Sequence, residues 1–357
     1  MKTILPLVIC VSLACTSVLS ASVEVKQNGN VTTLSNEKVT FTVDSEGRFF
    51  SIRDNASNEL VVDHASMGAD GWGVDRKSHE WKWKGWRSSL AVEEVDDAFG
   101  KGKRVVLSFS KSPHPVLPTY VFTYTIHEGD GAVFMGFGMK NTTGIDLRLM
   151  EDLPMVAGAL FPGKKIEKEV TLNGSAGAES AAVKPGVTRE SANSLMLTCS
   201  VDGRRRTVVW GGLANKEFGK WVALRDNALE MRAKDPVGRL VDHGQEYLSE
   251  DTFYIDVTTN DPFLALERYG RAMRLANNAH PNVYDFPVLC GWGVGALSHL
   301  PGVNTSVKLV GELEAAQKAG VTKYTKVGIR LEPDSYLGNT EQGWWDDGNC
   351  SITPGKQ

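Results

Sequence analysis

The sequence predicts a mainly β protein: a large antiparallel β-sandwich, of the supersandwich kind, followed by a linker helix and an incomplete β/α barrel start. Three observations carry this reading. Short runs of alternating apolar and polar residues, separated by Gly, Asn and Asp turns, fill the chain from about Ala21 to Thr259. Near Asn260 the period lengthens to that of a helix. Beyond it two apolar runs flank an amphipathic stretch, the order of a βαβ unit. The expected organisation is a signal peptide at residues 1–20, a sandwich domain at 21–259, a linker helix and connection at 260–285, and the first βαβ unit of a truncated TIM-type barrel at 286–357.

Taken in order, "MKTILPLVICVSLACTSVLS" holds one Lys, an apolar run from Ile4 to about Ala14, and Val18 and Ser20 before a cut ahead of Ala21. That is a secretory signal pattern, so the chain is expected to be secreted or periplasmic. The run is shorter than the ~20 residues of a membrane-spanning helix; a retained anchor and a lipoprotein processed at Cys15 are the alternatives. In the sandwich, "KVTFTVD", "RVVLSFS", "RTVVWGGL", "ALEMRA" and "DTFYIDVTT" each alternate as strands. "YVFTYTIHEGDGAVFMGFGM" reads as two strands joined by a Gly-containing hairpin loop. "LNGSAGAESAAVKPG", residues 172–186, is small and turn-rich and is expected to be an exposed loop. "GADGWGVDRKSHEWKWKGW" gathers Trp72, Trp81, Trp83 and Trp86 among charges, as either a packing loop or the cover of a carbohydrate groove.

"NDPFLALERYGRAMRLANN" places Phe263, Leu266, Tyr269, Met273 and Leu275 at helical spacing, with Asn260 or Asp261 as N-cap and Pro262 at the first helical position. "DFPVLCGWG" is read as a buried strand, "VKLVGELEAAQKAGV" as a helix ending at Gly320, and "YTKVGIRLE" as a second buried strand. The segment from Phe286 to Gln357 is far shorter than the ~250 residues an eight-stranded barrel takes, so only the first two barrel strands are expected.

Composition removes several functions. The 39 basic and 43 acidic residues are mixed along the chain, for a formal charge of −4. No basic stripe suits nucleic acid or an anionic membrane, so neither partner is expected once the signal is cleaved. Beyond the signal the cysteines are Cys199, Cys290 and Cys350, too few and too dispersed for a disulfide framework or a zinc site. The histidines show no ligand spacing, and no metal or cofactor is expected. A Gly-x-x-x-x-Gly-Lys-Ser/Thr loop and a Gly-x-Ser-x-Gly elbow are both missing, and "GWGVGA" lacks half of a dinucleotide fingerprint. What remains is a neutral or small polar partner, an oligosaccharide or glycoside.

The residues suited to that partner sit in "LEPDSYLGNTEQGWWDDGNC", residues 331–350. Glu332 and Asp334 directly follow the second barrel strand, the end at which barrel enzymes place their working groups. Trp344 and Trp345 offer flat apolar faces to a sugar ring, and Asp346 and Asp347 accept hydrogen bonds from its hydroxyls. Trp292, in "CGWGVG", closes the first strand at the same rim. The structural alternative is a surface loop whose Trp pair packs on the barrel and whose Asp pair caps a turn.

The order of signal, sandwich, linker helix "DPFLALERYGRAM", strand ending "CGWG" and strand running into "IRLEPDSY" and "QGWWDDGN" resembles the α-galactosidase (melibiase) type of glycoside hydrolase, in the clan of families 27 and 36. The specific part of the resemblance is residues 286–349. It implies that Glu332, Asp334, Asp346 and Asp347 contact sugar hydroxyls and that Trp344 or Trp345 stacks on the ring. It implies retaining hydrolysis of terminal α-galactosides or related sugars, by two carboxylates ~5 Å apart. In that family these follow strands four and six, so no catalytic residue is assigned here and this chain alone is expected to be inactive. The family form places Asp-Asp-Gly-Trp directly after the strand; this sequence has Glu-Pro-Asp-Ser-Tyr. The other function kept open is a non-catalytic, secreted, carbohydrate-binding sandwich.

Overall fold

The alternating runs pair into two antiparallel sheets within residues 1–279, the first of two units; residues 280–357 make the second. The computed structural model describes residues 22–46, 48–70, 72–73, 85–111, 116–174, 180–182, 188–214, 216–280, 286–290 and 306–330. The expected signal peptide, residues 1–20, lies outside them.

The first sheet runs β1 (Glu24–Asn28), β2 (Val31–Ser35), β3 (Val39–Asp44), β4 (Phe49–Asp54), β5 (Glu59–Ala69), β11 (Leu147–Leu160), β18 (Ala228–Val241), β17 (Gly219–Arg225) and β14 (Arg189–Ser191), with β6 (Trp72–Gly73) beside β5. The second runs β13 (Ser180–Ala182), β12 (Ile166–Asn173), β15 (Ser194–Val201), β16 (Arg204–Gly212), β20 (Phe253–Asp256), β10 (Ala132–Lys140), β9 (Thr119–His127), β8 (Gly100–Ser110) and β7 (Arg87–Asp97), with β19 (Glu246–Leu248) beside β10. Alternation sets what each face does. In β3, Val39, Phe41 and Val43 are buried while Thr40, Thr42 and Asp44 are half-buried. Phe41 stacks on Tyr124 with ring centroids 4.8 Å apart, and Phe50 lies 4.9 Å from the same ring, so β3 and β4 of one sheet meet β9 of the other. The buried Tyr124 hydroxyl donates to the Pro154 carbonyl at 2.9 Å, which removes the cost of an unpaired phenol.

β10 breaks the alternation: Ala132 to Met139 are all buried. On its second face Phe134 packs on the rings of Phe99, His127 and Tyr254, within the cluster that helix α1 (Pro262–Ala276) joins from its seat on β16, β15 and β20. Asp261 is the N-cap, its carboxylate accepting the Phe263 and Leu264 N–H groups at 2.9 and 3.0 Å, and Pro262 follows at the first helical position. The helix buries Ala265, Tyr269 and Ala272 against Phe134, Val209 and Tyr254. Phe263, expected on that face, is 82% exposed; two alanines let the helix approach closely and turn the first-turn Phe outward.

The turns follow their residues. Asp226 and Asn227 join β17 to β18 with φ of +45° and +63°, the paired left-handed geometry of a type I′ hairpin. The loop between β9 and β10 uses Gly129 at φ +70°. The expected loop at 172–186 is corrected in part: Leu172 and Asn173 belong to β12, and Ser180–Ala182 adds as β13 in register with it, Leu172 opposite Ser180. Small residues carry no period-two signal, yet an open strand edge satisfies their backbone groups.

In the second unit, β21 (Val288–Cys290) and β22 (Gly328–Arg330) pair in parallel, Val288 opposite Gly328 and Cys290 opposite Arg330. Helix α2 (Ser306–Lys318) lies between them in sequence, and Gly320 at φ +82° turns the chain after it. The expected strand at Tyr324 starts later, because a 3-10 turn covers Val321–Lys323 and Tyr324 is 91% exposed.

Candidate functional site

Parallel pairing brings the C-terminal ends of β21 and β22 side by side, closing on the pair Cys290 and Arg330. Gly328 permits that approach: a β-carbon there would fall 2.6 Å from the Phe286 ring. Trp292 follows Cys290 by two positions in the sequence and Glu332 follows Arg330 by two, so both leave one register pair at the same offset. Trp292, Glu332, Asp334, Trp344, Trp345, Asp346 and Asp347 themselves lie outside the described residues, as do Trp81 and Trp83.

A constellation that the sequence does not announce sits in the sandwich. Asp152 on β11 stands opposite Ala69 of β5 and Ala233 of β18, both core residues, so its side chain shares their inward face. It is fully buried, and neither carboxyl oxygen has a hydrogen-bond partner among the described residues. Asp70, held at φ +45°, accepts the Met150 and Glu151 N–H groups at 2.9 and 3.0 Å and the Tyr120 hydroxyl at 3.1 Å. Burial, then the charges of Asp70 and Glu151, push the Asp152 carboxyl well above the usual carboxylate range. Burial also raises Asp70, against the lowering effect of its three hydrogen bonds. Trp86 closes this end, buried and 5.8 Å from the Tyr120 ring. The one signal in the sequence is an Asp at an inward position of "LRLMEDLPMV".

These groups set a carboxyl with a raised pKa beside the Asp70 and Glu151 carboxylates and the Tyr120 hydroxyl, inside the core. His127 is buried with Nε2 2.9 Å from an Asp97 oxygen and its ring edge on Phe134, the geometry of a fixed core imidazole. Burial, then Glu169 and Glu59, push the Cys199 thiol up to about 12, which leaves it unreactive. Among the described residues no three His, Cys, Asp or Glu side chains are grouped to hold a metal.

The sequence matches no protein-family model and no curated protein sequence. Solved structures similar to the chain include a glycoside hydrolase family 97 enzyme in complex with acarbose from Pseudoalteromonas sp., at 12% identity and a TM-score of 0.49, covering 85% of this chain and 47% of that one. The α-galactosidase from Lactobacillus brevis is 8% identical at a TM-score of 0.44, covering 85% and 48%. A galactose mutarotase related enzyme from Lactobacillus acidophilus is 11% identical at 0.42, covering 64% of this chain and 97% of that one. The chain spans about half the length of the two hydrolases. At these identities and TM-scores the likeness assigns no residue, substrate or activity to it.

Proposed function

We propose that the chain belongs to a secreted glycoside hydrolase of the α-galactosidase type, acting with retention on terminal α-galactosides or related sugars. The observation that carries the reading is the parallel pair of β21 and β22 with α2 between them, following the sandwich and α1 in sequence. A strand, a crossover helix and a parallel strand are the repeating unit of an α/β barrel, whose chemistry gathers at the strand C-termini. The acids and tryptophans of the resemblance, Trp292, Glu332, Asp334, Trp344, Trp345, Asp346 and Asp347, all come after those termini in sequence. Their role is sugar binding: carboxylates accept from hydroxyls and indoles cover the C–H face. The nucleophile and the acid/base are assigned to no residue here, and the role proposed for the named residues is sugar binding.

Calorimetric titration tests this. Methyl α-galactoside is expected to give a saturable heat, with methyl α-glucoside weaker. No heat with any galactoside, or equal affinity for both, would overturn the α-galactoside reading.

A further inference from the structure

The sandwich unit carries a cleft of about 320 Å³ at the point where the start of α1 meets the ends of β4 and β20. Lys38, Asp54, Asn260, Asp261, Leu264 and Arg268 line it. Small-molecule sites begin at about this size, ~300 Å³. Its polar groups are fixed from below. Arg206 is 8% exposed; one terminal nitrogen donates to Asp54 and Asn260 oxygens, both at 3.4 Å, and the other forms an ion pair with Glu59 at 2.6 Å. Its Nε, buried, has no hydrogen-bond partner among the described residues. Asp54 is also held by the Ser57 hydroxyl at 2.6 Å and the Ala56 N–H at 3.1 Å. On the helix side, Arg268 donates to the Thr259 hydroxyl at 2.7 Å, and that hydroxyl donates to Asp256 at 2.6 Å. The Lys38 ammonium is positioned by the Gly129 carbonyl.

We propose that this cleft binds a neutral polyhydroxyl ligand, a sugar unit, as a site separate from the strand ends of the barrel segment. The charge balance selects the class. Two cations, Lys38 and Arg268, face two carboxylates, Asp54 and Asp261, so neither an anion nor a cation is favoured. An apolar ligand would leave four charged groups desolvated. A vicinal diol satisfies both kinds of group at once, because each hydroxyl donates to a carboxylate and accepts from an ammonium or guanidinium. Leu264, 45% exposed, supplies an apolar contact for the C–H face. With no aromatic ring among the lining residues, affinity is weak, on the order of a millimolar Kd.

The test is saturation-transfer NMR on the full chain carrying Asp346→Asn and Asp347→Asn, which remove strand-end acids of the proposed function, with methyl α-galactoside and methyl α-glucoside and with inorganic sulfate as competitor. Both glycosides are expected to show transfer that sulfate does not displace. Arg268→Ala is expected to weaken it about tenfold, the loss of one charge-assisted hydrogen bond. Lys38→Gln gives a second reading should Arg268→Ala disturb the fold. Transfer that survives both cleft substitutions, transfer displaced by sulfate, or no transfer at all would overturn the proposal. The chain without Asp346→Asn and Asp347→Asn, measured alongside, reads the strand-end site: methyl α-galactoside transfer no stronger there than in the doubly substituted chain counts against that site alone.

Discussion

Asp152 shows what a single inward carboxyl does to a sandwich. Its charged form would be buried beside Asp70 and Glu151 with no compensating hydrogen bond among the described residues, so folding favours the protonated form and raises its pKa. The sign follows from linkage. A carboxyl whose pKa is raised on folding contributes stability that is fully present below its unfolded value of ~3.9 and is lost as pH rises through the folded value. Asp152→Asn cannot ionise and is expected to remove that loss. The difference in unfolding free energy between variant and wild type, from urea titrations, should therefore grow in the variant's favour above pH 4, by at most ~1.4 kcal/mol per pH unit. A constant difference across pH would show that Asp152 ionises normally. The neighbours that bear on the slope are Asp70, Glu151 and Tyr120, and the same substitution leaves their hydrogen bonds to one another in place.

At the scale of the element, α1 is fastened to the second sheet by close approach more than by bulk. The Tyr269 hydroxyl donates to the Gly212 carbonyl at 2.5 Å. A β-carbon on Gly211 would stand 2.5 Å from that hydroxyl and 2.6 Å from the Ser194 β-carbon. Gly211→Ala is thus expected to cost ~1–3 kcal/mol through overpacking, read as a lowered denaturation midpoint. An unchanged midpoint would mean that the helix does not lie so near the sheet. The helix was largely legible in the sequence: Asp261 and Pro262 mark its start by local capping chemistry, and Tyr269 lies on its apolar stripe. Phe263 was not, because which edge of a stripe meets the sheet depends on the small residues Ala265 and Ala272, and periodicity alone weighs a Phe above an Ala. β13 was illegible for the opposite reason. Its Ser and Ala side chains carry no pattern, and only the pairing edge of β12 makes them a strand.

For the whole molecule, period-two alternation was enough to foresee the sandwich, since a buried face on each of two sheets demands it. The parallel pair of the second unit was likewise foreseen from two apolar runs around an amphipathic one. The buried Asp70 and Asp152 cluster and the cleft around Asp54 were not, because each gathers residues from strands far apart in sequence, and no local period records such a meeting. In the proposed function Trp344 and Trp345, which follow β22 in sequence, cover a sugar ring. Tryptophan fluorescence during titration with methyl α-galactoside reads that contact. A saturable change is expected in the wild-type chain and is expected to disappear in the doubly substituted Trp344→Ala, Trp345→Ala chain; a change that persists in that variant, or none in the wild type, would overturn the sugar-stacking role of this pair.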